Sequence, residues 1–310
     1  MRNYYLFICL LFLLILVACS SDSRNAQGRT IIRIAYLPIT HSAAVMILPE
    51  ITRNDENYFI QLERFTSWPE VNEALRAGHV DGASMLFEVA LTVHERDNTF
   101  RALSLSHRDG NVVVVGNYIE DFQDLVGRNV AIPHTLSPHY SLLRTILERE
   151  NIPRSDLDIR DLSPAEMPFT MAARAISAYV VAEPWGSIAE VRGIGRILET
   201  SNEVLPQSLC CILLFNENIF IQNEGLYEWF MEQFLIATQY AQARDEKVFN
   251  AFQEATSFER AIIEQSLGNT NFVDLELTEQ DFNSVSELIL RFGIRESVPH
   301  FHNFIFNGCC

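Results

Sequence analysis

The stretch Thr30-Ile31-Ile32-Arg33-Ile34-Ala35-Tyr36-Leu37-Pro38-Ile39-Thr40-His41 decides the fold. β-branched and apolar residues over 31–37 predict a strand, and Pro38, which has no N–H for a ladder, closes it. The apolar spacing over 41–51 then predicts a helix. The rhythm continues outward. Residues 58–65 alternate as a second strand. Ser67 ahead of Trp68-Pro69-Glu70 places a capping hydroxyl, a first-turn proline and an early acid at the start of a helix that ends at Gly78. Residues 81–87 form a third strand, 88–95 a helix and 100–106 a fourth strand. Short β runs alternating with amphipathic segments specify an α/β protein whose sheets are mostly parallel and covered by helices.

Around His107-Arg108-Asp109-Gly110 the rhythm changes, because Asn111-Val112-Val113-Val114-Val115-Gly116 is a buried-strand run with only a turn before it. A crossing into a second lobe fits there. That lobe holds strands 129–132, 157–162 and 178–182 and helices 138–150, 165–175 and 186–191. The apolar run 208–215 carries the chain back, and helices 224–244, 246–258 and 278–292 complete the first lobe. The expected division is therefore 30–106 plus 208–310 for lobe 1 and 107–207 for lobe 2. The 310 residues, about 290 after loss of a signal segment, are ample for two cores.

With 48% apolar and 20% charged residues the chain is a packed globular one. Its 40 acidic and 23 basic residues give a formal charge of −17, and Lys247 is the single lysine. No dense cationic surface can form, which excludes nucleic acid and anionic membrane as partners held by charge. No reaction follows from these totals.

At the start, Met1-Arg2 leads into the apolar block 10–17 and then into Ser20, Ser21, Asp22 and Ser23. Leu16-Val17-Ala18-Cys19 resembles the lipobox of bacterial lipoproteins. That resemblance implies a signal peptide over 1–18, a diacylglycerol on Cys19, a polar tether over 19–29, and an extracytoplasmic protein lipid-anchored to the bacterial membrane. An uncleaved anchor helix is the alternative.

Four further motifs, in order along the chain, are Arg33 to His41, Ser67-Trp68-Pro69-Glu70, Gly78-His79-Val80-Asp81-Gly82-Ala83 and Val181-Ala182-Glu183-Pro184-Trp185. Together the chain resembles the substrate-binding lipoproteins of ABC importers, of the nitrate/sulfonate/bicarbonate and taurine type, which include relatives that bind thiamine-precursor pyrimidines. The resemblance implies a two-lobed, periplasmic-binding-protein-like fold of type II that closes on a small-molecule solute. It implies a permease and an ATPase as partners, no cofactor and no catalysis. Two other readings are a thiamine-pyrimidine-synthase-like enzyme, with Cys210-Cys211 as a remnant of its cysteine-rich segment, and a sensory lipoprotein.

In such sheets ligands sit beyond the carboxyl ends of strands. The expected ligand-binding residues are Thr40, His41, Ser67, Trp68, Ser84 and Glu88 on lobe 1, His107 at the crossover, and Thr135, Ser137, His139, Glu183 and Trp185 on lobe 2. Ser137-Pro138-His139 leaves free N–H groups at a helix start for an anion or carbonyl oxygen, against a plain N-cap. Trp68 and Trp185 are expected on opposite cleft walls, against simple lobe packing. Glu88 and Glu183 either accept from a ligand or serve the scaffold. His41, His134 and His139 are not spaced as a ligand set, and no metal site is expected. Of the cysteines, a bond between sequence neighbours is strained, so a disulfide from Cys210 or Cys211 to Cys309 or Cys310 is expected, with free thiols as the alternative.

Overall fold

The computed structural model describes residues 24–308. The expected signal segment, the lipidated Cys19 and the bridge partners Cys309 and Cys310 lie outside these residues.

Two five-stranded sheets organise the chain. The first contains β1 (Thr30–Tyr36), β2 (Tyr58–Arg64), β3 (Gly82–Leu86), β4 (Phe100–Leu105) and β11 (Cys211–Asn216), ordered β2-β1-β3-β11-β4. The second contains β6 (Asn111–Gly116), β7 (Asn129–Ile132), β8 (Asp158–Asp161), β9 (Ala178–Ala182) and β10 (Gly195–Thr200), ordered β10-β6-β9-β7-β8. A two-stranded piece joins β5 (Arg108–Asp109) to β12 (Thr270–Asn271) beside the crossover.

Strand direction follows from the crossings. β1 pairs in parallel with β2 and β3, while β11 is antiparallel to β3 and β4. In the second sheet β7 pairs in parallel with β8 and β9, while β6 is antiparallel to β9 and β10. Four strands in each sheet thus point one way. The strand running against them, β11 or β6, is the one the chain enters on arriving from the other lobe. Because of that reversal, the carboxyl ends of the four strands and the amino end of the fifth share one edge, and the two edges face each other.

Central strands are apolar on both faces because helices cover both. Val113 and Val115 pack with Leu143 and Ile146 of the helix Pro138–Arg149, whereas Val112 and Val114 pack with Tyr179, Val181 and Met167 on the other side. Each such side chain contributes about 1.5–3 kcal/mol when fully buried. The lobe 1 core adds the later helices, with Phe230 and Phe234 of Leu226–Gln242 fully buried against β11 and its neighbours. Phe215 of β11 lies flat over Gly82, where an added Cβ would fall 2.4 Å from its ring. Only glycine allows that approach.

Helix starts follow local chemistry. Ser67 and Glu70 form a capping box on Trp68–Arg76, and Ser137 caps Pro138–Arg149 by accepting from the N–H of Tyr140. The strand β10 and the helix Arg260–Gly268 were not anticipated. Gly195-Arg196-Ile197-Leu198-Glu199-Thr200 is a half-exposed edge strand with a register shift, so its alternation is broken.

Candidate functional site

The loops after β1 and β9 meet first. Thr40 donates its backbone N–H (2.9 Å) and its hydroxyl (3.0 Å) to the carbonyl oxygen of Glu183. The Glu183 carboxyl is fully buried and accepts from the N–H and hydroxyl of Ser187, both at 2.9 Å, and from Asn269 Nδ2 at 2.7 Å. Burial pushes this carboxyl above the usual range, and the three hydrogen bonds oppose the shift. Further contacts join the lobes: Gln265 to Glu190 at 2.6 Å, Ser141 to Glu88 at 3.4 Å, and the edge of Trp185 on Phe258 at 5.4 Å between ring centroids.

Between the two edges lies a cavity of about 260 Å³. Its polar lining includes Glu88, Asn111, Ser141, Ser201, Ser208 and Asp281, and Leu142, Leu205, Val285 and Leu288 close its apolar side. That mixture of apolar wall and few polar groups is the makeup of a small-molecule site. Glu88 follows β3 and is fully buried, with Oε2 unpartnered and Ser141 on Oε1. Burial raises its carboxyl well above the ordinary range, against the smaller opposing effect of the Ser141 hydroxyl.

On the lobe 1 edge four donors converge. His41 comes from the 3₁₀ turn after β1, His107 from the crossover after β4, and Cys210 and Cys211 from the amino end of β11. One donor atom from each lies within 4.8 Å of all the others, and all four residues are fully buried. Cys211 Sγ is 3.7 Å from His41 Nδ1 and 3.8 Å from Cys210 Sγ, and the His41 and His107 rings stack with centroids 3.7 Å apart. His107 has neither ring nitrogen bonded, nor has His139 at the amino end of Pro138–Arg149. Burial lowers both rings to about 4, His107 also through repulsion from His41, so both are neutral imidazoles at physiological pH. The thiols divide. Burial pushes both up, but the hydrogen bond from Cys211 and the neighbouring His41 hold Cys210 low, while burial and its neighbour raise Cys211.

Of the sequence candidates, Thr40, His41, Ser84, Glu88, His107, Ser137, His139 and Glu183 are all buried, and the facing edges of the sheets bring most of them together. Ser84 Oγ donates to Ser106 Oγ at 2.9 Å within the sheet. Ser137 is occupied as an N-cap, and Ser67 likewise serves its capping box. Thr135 is exposed, with its N–H 3.4 Å from Asp161. Neither indole lines the cavity: Trp68 is 3% exposed within the lobe 1 core, and Trp185 packs on Phe258. Among the described residues Cys210 and Cys211 carry no disulfide, and their expected partners Cys309 and Cys310 lie outside those residues. The cleft edge brings together the donor set His41, His107, Cys210 and Cys211 rather than a histidine trio. Sequence spacing cannot see that set because three separate strand ends supply it. The missed residues Asn111, Ser141 and Asn269 carry no motif. Asn111 opens β6 and accepts from Cys210 at 3.6 Å.

Residues 25–253 match the model of the NMT1-like family. The chain belongs to that family. Among curated proteins, this NMT1-like chain is 25% identical over 209 residues to the bicarbonate transport ATP-binding protein CmpC of Synechocystis, covering 59% of this chain and 31% of that protein. It is 24% identical over 208 residues to the nitrate import ATP-binding protein NrtC of Synechocystis, covering 58% and 30%. It thus spans about a third of the length of these relatives. Among solved structures, the ligand-binding component of an ABC-type import system from Staphylococcus aureus, with zinc bound, superposes with a TM-score of 0.84 at 27% identity, covering 89% of this chain and 96% of that one. The periplasmic nitrate-binding protein NrtA of Synechocystis superposes with a TM-score of 0.76 at 16% identity, covering 87% and 83%. The NMT1-like chain therefore has the two-lobed α/β fold of these binding proteins.

Proposed function

We propose that this protein is the extracytoplasmic solute-binding receptor of an ABC importer, taking up a small molecule between its lobes and delivering it to a permease. The observation that carries this reading is the cavity of about 260 Å³ between two facing sheet edges, with the buried carboxyl of Glu88 and the hydroxyl of Ser141 contributed from opposite lobes. Lobe closure around a solute needs no chemical step, only contacts made in the closed state and absent in the open one. The likeness to the S. aureus import component supports the same reading. In it the division at residues 107 and 207 separates two rigid lobes, Cys19 carries the lipid that holds the receptor at the membrane, and an ATPase drives the permease. The protein is no enzyme in this reading.

The test is a thermal-shift screen of the mature protein over nitrate, bicarbonate, alkyl sulfonates, pyrimidines, flavins and divalent metal ions, followed by calorimetric titration of any hit. A true solute at about 100 times its Kd adds about 2.7 kcal/mol of stability. A solute that binds with one-to-one stoichiometry and is lost in Ser141→Leu supports the reading. Saturable turnover of that compound into a product would overturn it in favour of an enzyme.

A further inference from the structure

We propose that His41, His107, Cys210 and Cys211 form a tetrahedral site for one late transition-metal ion of the zinc type, on the floor of the cleft. This inference goes beyond transport and holds whichever solute the cavity takes.

The distances fit the ion. In a tetrahedral zinc centre with Zn–S of about 2.3 Å and Zn–N of about 2.0–2.1 Å, two sulfurs lie about 3.8 Å apart and a sulfur and a nitrogen about 3.5 Å apart. The observed Cys210–Cys211 separation is 3.8 Å and the Cys211–His41 separation 3.7 Å, and no pair in the donor set exceeds 4.8 Å. The donors are soft sulfur and borderline imidazole, a combination that selects zinc or a neighbouring late metal over magnesium or calcium.

Charge also fits. A doubly charged cation with two thiolates and two neutral imidazoles is electrically neutral, which a fully buried site tolerates. Binding displaces the remaining thiol protons to solvent and forms two metal–sulfur and two metal–nitrogen bonds; no oxidant or reductant takes part. Without an ion, the cluster leaves polar groups unsatisfied: both nitrogens of His107 and Nε2 of His41 are buried with no hydrogen-bond partner. Such orphaned groups are costly in a folded protein unless something occupies them. The ion would open the 26° stack of the two rings and take up the lone pairs now left over.

Position gives the site a consequence. Its donors come from the loop after β1 and from the ends of both crossovers between the sheets, so one ion ties these three segments together. Gly110, one of the crossover residues, presses against His41 so closely that an added Cβ would lie 2.8 Å from Nε2.

The test uses the mature chain, reduced, freed of metal by chelation and shown by thiol assay to carry free Cys210 and Cys211. Zinc is titrated in competition with a chromophoric chelator, and cobalt is added in parallel as a spectroscopic substitute. We expect one zinc per chain, and a cobalt spectrum with tetrahedral visible bands and a thiolate-to-metal charge-transfer band. Cys210→Ser/Cys211→Ser should abolish that band and weaken zinc binding by about 10³-fold or more, since half the donors of a structural-type site are lost. Should the double variant fail to fold, His107→Gln supplies the same readout: its cobalt bands should shift while the thiolate band persists. Binding with no thiolate band, or unchanged affinity in folded ligand variants, places the ion on surface carboxylates and overturns the proposal, as does absence of binding by the fully reduced protein.

Discussion

Thr40 and Glu183 clasp the two lobes through a single oxygen: the N–H and the hydroxyl of Thr40 both donate to the Glu183 carbonyl, at 2.9 and 3.0 Å. Thr40 Oγ1 in turn accepts from Thr270 at 3.1 Å, which ties the clasp to the β12 segment. Thr40→Val keeps the shape and the backbone bond but removes the hydroxyl. It should lower stability by about 0.5–1.5 kcal/mol in denaturant titration. A variant as stable as the parent would mean that the clasp is bonded equally well to water.

Gly110 and Gly78 form a controlled pair. Both have positive φ, 82° and 67°, but an added Cβ meets His41 and Thr270 at Gly110 and nothing within 4 Å at Gly78. Gly78→Ala should cost only the backbone penalty, about 1–2 kcal/mol. Gly110→Ala should cost about 1–3 kcal/mol more through overpacking. Equal losses in thermal unfolding would show that His41 moves aside freely.

The two indoles should separate in their effects. Trp68 belongs to the lobe 1 core, so Trp68→Ala should destabilise by about 3–5 kcal/mol. Trp185 meets Phe258 edge-on at 87° across the lobes, and losing an aromatic pair is worth about 0.5–1.5 kcal/mol. Trp185→Ala should therefore leave stability nearly intact while weakening solute binding about two- to tenfold, because only the closed form loses the contact. Emission from Trp185 should change on ligand binding, and Trp68 emission should not. The reverse pattern would put the cleft wall at Trp68.

Arg108 and Asp281 give the pH dependence. The guanidinium, 6% exposed, holds the carboxylate by two bonds of 3.2 and 3.0 Å. Burial pushes the Asp281 carboxyl up, but hydrogen bonds from Arg108 and Thr278 outweigh it and hold the group below the usual aspartate range. A depressed carboxyl stabilises the fold above its unfolded pKa of about 3.9, and that stabilisation is lost as pH falls through the lower folded value. Asp281→Asn should thus cost about 1–3 kcal/mol at pH 7, with the gap from the parent closing below about pH 4. A gap that stays constant into acid would rule out this pair as the source.

Several features were legible along the chain because their causes are local. The strand before Pro38, the capping box at Ser67 and Glu70 and the N-cap at Ser137 depend on residues within a few positions of one another. The strand ends also pointed to Thr40, His41, Glu88, His107, His139 and Glu183, since chain reversal places such residues on one edge. The edge strand β10 was hidden because its burial pattern is only half apolar.

What the sequence by itself determined was the α/β alternation, the place of the crossing near Gly110 and the identity of the strand ends, all of which follow from hydrophobic period and from proline and glycine punctuation. Only tertiary structure decided the partners. Cys210 and Cys211 sit 169 and 170 positions after His41, and their thiols reach its ring only because β11 re-enters the first sheet antiparallel beside β3. The same return puts Trp185 on Phe258 and leaves Trp68 inside a core. Strand order is set by the burial of both sheet faces at once, a global condition that no short stretch of sequence records.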